Sequence, residues 1–239
     1  MDRAYAEGDR AVTRALRIDD IGAASKRWEI WSRHRWANAT PLKWLYPFKA
    51  WGPYRELAAW ELDMLCGLVD GKRSRLTLAI TACWVERDGT LVPYPEKFPR
   101  QAEVILKWVR RGTVEVANHG LTHCRVGQHL PRWWRGNREM HREFTDAMSR
   151  NDVARSLGLS QSIFERWLGL RPRVLVPPGL QFPEKFYDGL GPVGLRVWTR
   201  EDEVRCLTFH DRDFVCGDGW GRFRAAIRAE RFTTCGRVM

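Results

Sequence analysis

Short runs of apolar residues alternate along the chain with longer segments in which apolar residues recur every three or four positions. The short runs predict buried strands, and the longer segments predict amphipathic helices. Turn-forming Gly, Pro and Asp residues separate the two kinds of segment. The pattern predicts strands at 12–18, 76–81, 113–116, 173–176, 194–198, 205–209 and 231–235, and helices at 54–68, 101–109, 142–157, 161–168, 184–190 and 220–229.

This alternation of strands and helices favours right-handed βαβ units, and therefore a parallel sheet or barrel. At 239 residues the chain fits one large domain, and it shows neither an internal repeat nor a linker. In parallel α/β folds the ligand site lies at the carboxyl ends of the strands. Polar residues that follow predicted strands are therefore the candidates for function.

Two histidines four positions apart follow the third predicted strand. His119 and His123 can present two ring nitrogens to one metal ion if they share a helical turn or a tight loop. The HExxH motif has the same spacing and carries a glutamate as base after the first histidine, but this chain has Gly120 there. Chance occurrence on a helix is the alternative. Other polar residues also follow predicted strands, namely Asp19 and Asp20, the Pro177–Pro178 turn and His210.

Composition narrows the class of protein without deciding its function. The formal net charge of +11 favours an anionic partner, but arginines are interleaved with acids and no Lys/Arg block is present. We therefore expect a solvated basic surface, with nucleic-acid binding as the alternative. The six cysteines form no CxxC pair, which argues against a zinc ribbon. We expect a cytoplasmic protein, because we find neither a secretory signal nor an apolar run of transmembrane length.

Four short motifs, taken in order, resemble the NodB-like polysaccharide deacetylases, which form carbohydrate esterase family four. The residues are Arg17-Ile18-Asp19-Asp20, His119-Gly120-Leu121-Thr122-His123, Val176-Pro177-Pro178-Gly179 and Leu207-Thr208-Phe209-His210. The ordered set is far more specific than any one of its members. The resemblance implies a distorted or incomplete (β/α) barrel of about seven parallel strands. It implies a single domain over 1–239, with a core at 13–235 and an N-terminal extension at 1–12.

The resemblance also implies a reaction and a role for each motif residue. The protein would be a zinc-dependent hydrolase, or one using another divalent metal, that removes N-acetyl or other acyl groups from an amino sugar in a glycan or glycan precursor. Such a site can activate water and polarise a carbonyl group, while a carboxylate and an imidazole move the protons. By resemblance, Asp20, His119 and His123 would bind the metal, Asp19 would be the general base, His210 the general acid, and Pro177, Pro178 and Gly179 would contact the substrate.

Two positions depart from the family pattern. The family has an arginine before the proline pair to orient the base, and this chain has Val176 there. Arg17 lies two residues before Asp19, so both share a strand face and Arg17 could substitute, whereas Arg173 should face the opposite way. The aspartate that tunes the catalytic histidine has no clear match, and Asp202 is a candidate. A catalytically inactive carbohydrate-binding relative is therefore the alternative function.

Thirteen tryptophans are present, and some flank the motif loops. A flat indole face can stack on a sugar ring, although core packing and loop anchoring explain most tryptophans. The candidates for sugar stacking are Trp28, Trp31, Trp133 and Trp134.

Overall fold

The computed structural model of the chain describes residues 14–24, 55–86, 88–127 and 142–239. Eight strands and seven α-helices lie in these residues. The strands are β1 Ala15–Ile21, β2 Leu76–Ile80, β3 Cys83–Val85, β4 Leu91–Pro93, β5 Val114–Asn118, β6 Val174–Leu175, β7 Arg196–Val197 and β8 Cys206–His210. The helices are α1 Ala59–Gly71, α2 Tyr94–Lys97, α3 Pro99–Arg110, α4 Arg150–Leu168, α5 Asp211–Cys216, α6 Gly219–Ala229 and α7 Cys235–Val238.

Six of the strands form one parallel sheet with the order β7-β6-β5-β2-β1-β8. The sheet curls into a half-barrel, which confirms the predicted incomplete (β/α) barrel. β3 and β4 form a separate antiparallel pair. All residues of β1 and β2 are buried, as expected for central strands that are covered on both faces. Because the strands run parallel, the carboxyl ends of β1, β2, β5, β6 and β8 lie at one edge of the sheet.

The prediction of a last strand at 231–235 is wrong, because these residues form no strand. Only Thr233 makes a parallel bridge, to Ala15. The hydroxyl of Thr77 then accepts the backbone N–H of Cys235 at 2.8 Å, and the chain turns into α7. The hydroxyl of Thr77 on β2 thus accepts the backbone N–H that a seventh strand would have used to pair with the sheet.

The predicted helices at 142–157 and 161–168 are a single helix that begins later. In α4 the hydroxyl of Ser149 accepts the N–H of Asp152 at 3.1 Å and so caps the helix. Gly158 lies inside α4 and does not interrupt it. Residues 142–149 instead form an irregular segment, and its buried Glu143 and Phe144 pack under the site described below.

The main apolar core lies where α1, α3 and α6 cover the sheet. Leu62, Leu65, Ile105 and Phe223 are its buried representatives on these helices. None of the described helices is both long enough and apolar enough to cross a membrane. The four tryptophans predicted to stack on sugar lie outside the described residues.

Candidate metal centre

Asp20, His119 and His123 converge at the carboxyl edge of the sheet. The Oδ1 atom of Asp20 lies 3.1 Å from Nε2 of His123 and 3.4 Å from Nε2 of His119. One ligand atom from each residue falls within 4.8 Å of the other two, and all three residues are buried. Two ligands about 2.0–2.2 Å from one tetrahedral ion lie roughly 3.3–3.6 Å apart. The two distances from Asp20 are close to this separation, so the cluster is a candidate site for a single divalent ion.

The backbone of β1 bends so that Asp20 can reach the imidazoles. Asp20 has a φ of 67°, in the left-handed region that residues other than glycine rarely adopt. The register between β1 and β2 shifts between Ile18 and Ile21, so simple alternation of faces fails across the Asp19–Asp20 pair. His123 also has a positive φ, of 61°. Strained backbone at two of the three ligand candidates is typical of functional sites.

A carbonyl group fixes the orientation of the first imidazole. Nδ1 of His119 lies 2.6 Å from the carbonyl oxygen of Val176. Because a carbonyl only accepts, Nδ1 carries a proton, and Nε2 faces Asp20. Nε2 donates to this carboxylate when the imidazole is protonated, and its electron pair can bind a metal ion when the imidazole is neutral. Histidines that bind metals commonly have this second hydrogen bond. The donor set of imidazole nitrogen and carboxylate oxygen fits zinc or a similar divalent ion.

The electrostatics of the cluster also suit a cation. Burial opposes the ionisation of Asp20, but hydrogen bonds with His119 and His123 outweigh it, so its pKa lies well below the ordinary value. Burial opposes a charge on His119 as well, yet the hydrogen bond with Asp20 and the charges of Asp19 and Asp20 raise its pKa. The carboxylates of Asp19 and Asp20 thus make this buried point attractive to positive charge.

Glu143 holds the loop that carries both histidines. Its carboxylate accepts the backbone N–H groups of Leu121 at 3.1 Å, Thr122 at 2.9 Å and His123 at 3.0 Å, and it also accepts the hydroxyl of Ser156. Burial raises the pKa of Glu143, although these four hydrogen bonds oppose the rise. One carboxylate thus replaces the partners that a helix or strand would give these N–H groups.

We expect Gly120→Ala to destabilise the protein by roughly 3 kcal/mol, through left-handed strain together with overpacking. Gly120 has a φ of +86°, and a Cβ atom there would lie 2.2 Å from Oε2 of Glu143. Gly112→Ala is a matched control, since its φ is +77° and its Cβ would meet open space. The control should lose only about 1–2 kcal/mol. Chemical denaturation measures both losses. Equal losses would show that the Glu143 side chain moves away from the new Cβ atom at little cost.

A second buried network holds Asp19. Arg17 donates from Nε to Oδ1 of Asp19 at 2.6 Å and from Nη2 to Oδ2 at 2.9 Å, which is a two-pronged ion pair. Arg17 is fully buried. The shared strand face expected from their spacing is therefore observed. Arg173 is exposed and makes no side-chain bond to Asp19 within the described residues.

Glu203 completes this network from the other side. Its carboxylate lies 3.0 Å from Nη1 of Arg17, accepts the indole N–H of Trp198 at 2.9 Å and accepts the hydroxyl of Thr208 at 2.5 Å. The guanidinium carbon of Arg17 also lies 5.5 Å from the centre of the Trp198 ring. Burial opposes the charge of Arg17, but the charge and hydrogen bonds of Asp19 outweigh this effect and raise the pKa of Arg17 above its ordinary value. Arg17 thus remains charged and keeps Asp19 in one orientation.

A comparison with models of known protein families identifies the family of this chain. A model of the family described as polysaccharide deacetylase matches residues 65–198, which is more than half of the chain. The chain belongs to the polysaccharide deacetylase family. No curated protein matches it by sequence.

Solved structures show the same fold at low identity. A peptidoglycan deacetylase, PdaC from Bacillus subtilis, is 12% identical, with 97% of this chain and 92% of that chain covered and a TM-score of 0.54. A CE4 family pseudoenzyme from Bacillus anthracis is 10% identical, with 76% of this chain and 61% of that chain covered and a TM-score of 0.51. The fold therefore occurs in both an enzyme and a pseudoenzyme.

The last motif of this polysaccharide deacetylase domain brings His210 beside Asp19. The two residues are register partners in the parallel β1–β8 pair, so their side chains leave the same face. His210 is 38% exposed at its side chain, and its Nδ1 lies 4.0 Å from Oδ2 of Asp213. Asp202 is not its partner, because its Oδ2 accepts from the backbone and hydroxyl of Thr199 at 2.9 and 3.0 Å. Asp213 is the carboxylate that the structure places near His210.

The third motif of the deacetylase domain lies against the first histidine. Pro177, Pro178 and Gly179 follow β6, next to the Val176 carbonyl that His119 contacts. Gly179 has a φ of 67° and packs under Arg142, whose Nε would lie 3.4 Å from a Cβ atom at this glycine. The structure thus brings the candidate site residues of the four motifs to the carboxyl edge of the sheet.

Proposed function

We propose that the protein is a metal-dependent hydrolase that removes N-acetyl groups from amino sugars in a glycan. Membership of the polysaccharide deacetylase family gives the general chemistry. The observation that carries the proposal is the buried Asp20–His119–His123 cluster beside a carboxylate, Asp19, that is held by Arg17. Zinc is the proposed ion, and it would be held by Asp20, His119 and His123.

The residues of this chain supply the proton transfers. A bound divalent ion would polarise the acyl carbonyl and acidify a water molecule. Asp19, whose carboxylate is paired with Arg17 and does not belong to the ligand cluster, would take a proton from the attacking water. The water oxygen would bond to the acyl carbon, the C–N bond would break, and His210 would give a proton to the departing amine. The products are acetate and a free amino sugar.

The Arg17 network favours an active enzyme over an inactive carbohydrate-binding relative. The valine before the proline pair removes the arginine that the family uses to orient the base. Arg17 reaches the same carboxylate from within β1, at 2.6 and 2.9 Å. The base therefore keeps a cationic partner in this chain, and Val176 does not by itself imply loss of activity.

The proposal is tested by acetate release from N-acetylglucosamine oligomers. We expect release by the zinc-loaded protein, loss after chelation, and recovery when zinc is restored. An active preparation supports the hydrolase. Zinc-loaded protein that binds the oligomers without releasing acetate, across several acylated amino sugars, would support the inactive carbohydrate-binding relative instead.

We expect Asp20→Asn to abolish stoichiometric zinc binding, because the substitution removes the only carboxylate of the cluster among the described residues. Asp202→Asn is the matched control, since Asp202 bonds Thr199 and lies outside the cluster. Metal content per chain after dialysis, measured by elemental analysis, separates the two variants. Equal zinc content in both would contradict the ligand assignment.

A further inference from the structure

A cavity of about 850 Å³ opens at the amino-terminal ends of the strands. Its wall includes Arg75, which directly precedes β2, and Arg173, which directly precedes β6. The metal centre lies at the opposite, carboxyl ends of the same strands. Since active sites of such folds occupy the carboxyl edge, this cavity is separate from the candidate active site.

The cavity carries positive charge that nothing in its wall neutralises. Arg75, Arg173 and Arg237 line it, and none of their side chains forms an ion pair or hydrogen bond in the described part of the chain. A fourth arginine in the wall, Arg171, is already paired with Glu165 at 2.7 Å. Three arginines without an ion-pair partner along one cavity favour an anionic ligand.

The one acidic side chain of the wall is occupied. Oε2 of Glu115 accepts the hydroxyl of Thr77 at 3.0 Å and the N–H of Gly236 at 3.0 Å. These bonds direct the carboxylate towards β2 and the start of α7. Glu115 is thus engaged by neutral donors, and it forms no ion pair with the three arginines.

Most of the other residues in the wall are apolar. Val114 and Val116 are buried in β5, and Leu170 is 44% exposed. A cavity lined by apolar residues and three unpaired arginines suits a compact ligand that carries several negative charges. Guanidinium groups form paired hydrogen bonds with phosphate oxygens, and a phosphate group carries more charge than a carboxylate.

We propose that this cavity binds a phosphate-bearing anion at a second site, away from the metal centre. The net charge of +11 would draw such a ligand to the protein, and Arg75, Arg173 and Arg237 would hold its phosphate oxygens. The proposal does not depend on deacetylase activity, because none of these residues touches the metal centre.

Calorimetric titration with inorganic pyrophosphate tests the proposal. We expect wild-type protein to bind pyrophosphate, and the triple variant Arg75→Gln/Arg173→Gln/Arg237→Gln to bind at least about tenfold more weakly. The matched control is Arg100→Gln/Arg200→Gln/Arg228→Gln, which removes the same charge from exposed arginines outside the cavity. This control should keep wild-type affinity.

Several outcomes would overturn the site. Equal loss in both triple variants would show a general effect of net charge, and unchanged affinity in the cavity variant would show that pyrophosphate binds elsewhere on the protein. Citrate binding as tightly as pyrophosphate would refute the preference for phosphate.

A comparison with long-chain polyphosphate distinguishes the sources of the phosphate group. Tighter binding of the polymer than of pyrophosphate would point to a polymeric ligand, and equal affinities would point to a small ligand.

A second measurement uses the wild-type protein and does not require the variants to fold. Phenylglyoxal modifies accessible arginines, and peptide mapping reports each position. Pyrophosphate should protect Arg75, Arg173 and Arg237 but not Arg100 or Arg228. Uniform protection, or none, would contradict the site.

Discussion

Asp19→Asn is expected to slow acetate release from N-acetylglucosamine oligomers by about 10²–10⁴-fold, the range that general acid–base catalysis supplies. An amide cannot take the proton of the attacking water. Asp19 is also the carboxylate that Arg17 holds beside the ligand cluster, and it is in register with His210. The substitution keeps the size of the side chain, so the change in rate reports on its chemistry.

Two further measurements make this result specific. Zinc content should stay at the wild-type value in Asp19→Asn, because Asp20, His119 and His123 form the ligand cluster without it. Asp202→Asn should release acetate at the wild-type rate, since its carboxylate only caps the turn at Thr199. Acetate release by Asp19→Asn within a few-fold of wild type would remove Asp19 from the role of base.

The sheet could be predicted because its strands are short apolar runs with turn residues at each end. The runs at 76–81 and 113–116 correspond to β2 and β5, whose residues are mostly buried. The run at 231–235 has the same character but forms only one bridge, because a hydroxyl from β2 takes the N–H that would extend the ladder. Local pattern cannot reveal such a competing acceptor.

The Asp20–His119–His123 cluster could be anticipated from the sequence because its residues occur in compact motifs. The bend at Asp20 could not, since a φ of 67° depends on how β1 packs against its neighbours. Period two did indicate that Arg17 and Asp19 share a face, and the structure joins them. The spacing of residues along the strand therefore predicted the pairing of Arg17 with Asp19. The backbone conformation of Asp20 could not be predicted, because it depends on contacts with neighbouring strands.

The supporting carboxylates had no sequence signal. Glu143 lies 20 residues after His123, in a segment predicted to be helical, and nothing local marks a glutamate that will be buried under a loop. Glu203 is separated from Arg17 by 186 residues. Buried charge networks arise from distant segments, so single-sequence patterns name the motif residues but not the groups that hold them.

Arg17→Met is expected to lower the free energy of unfolding by about 3–5 kcal/mol, the cost of removing one partner of a buried ion pair. Arg17 is fully buried and is the cation that both Asp19 and Glu203 face. Methionine fills much of the volume but leaves two carboxylates without their cation. Urea denaturation measures the loss. Arg171→Met is the control, because its pair with Glu165 is about half exposed and should be worth under about 1 kcal/mol.

The same substitution separates a positioning role for Arg17 from a purely structural one. If Arg17 orients the base, Arg17→Met lowers kcat at temperatures where the variant stays folded, while zinc content remains unchanged. Arg17→Lys keeps the charge but loses the two-pronged geometry, so it should recover part of the stability and less of kcat. Loss of stability without any loss of kcat would instead mean that Arg17 only neutralises the carboxylates of Asp19 and Glu203 and that Asp19 keeps its orientation without it.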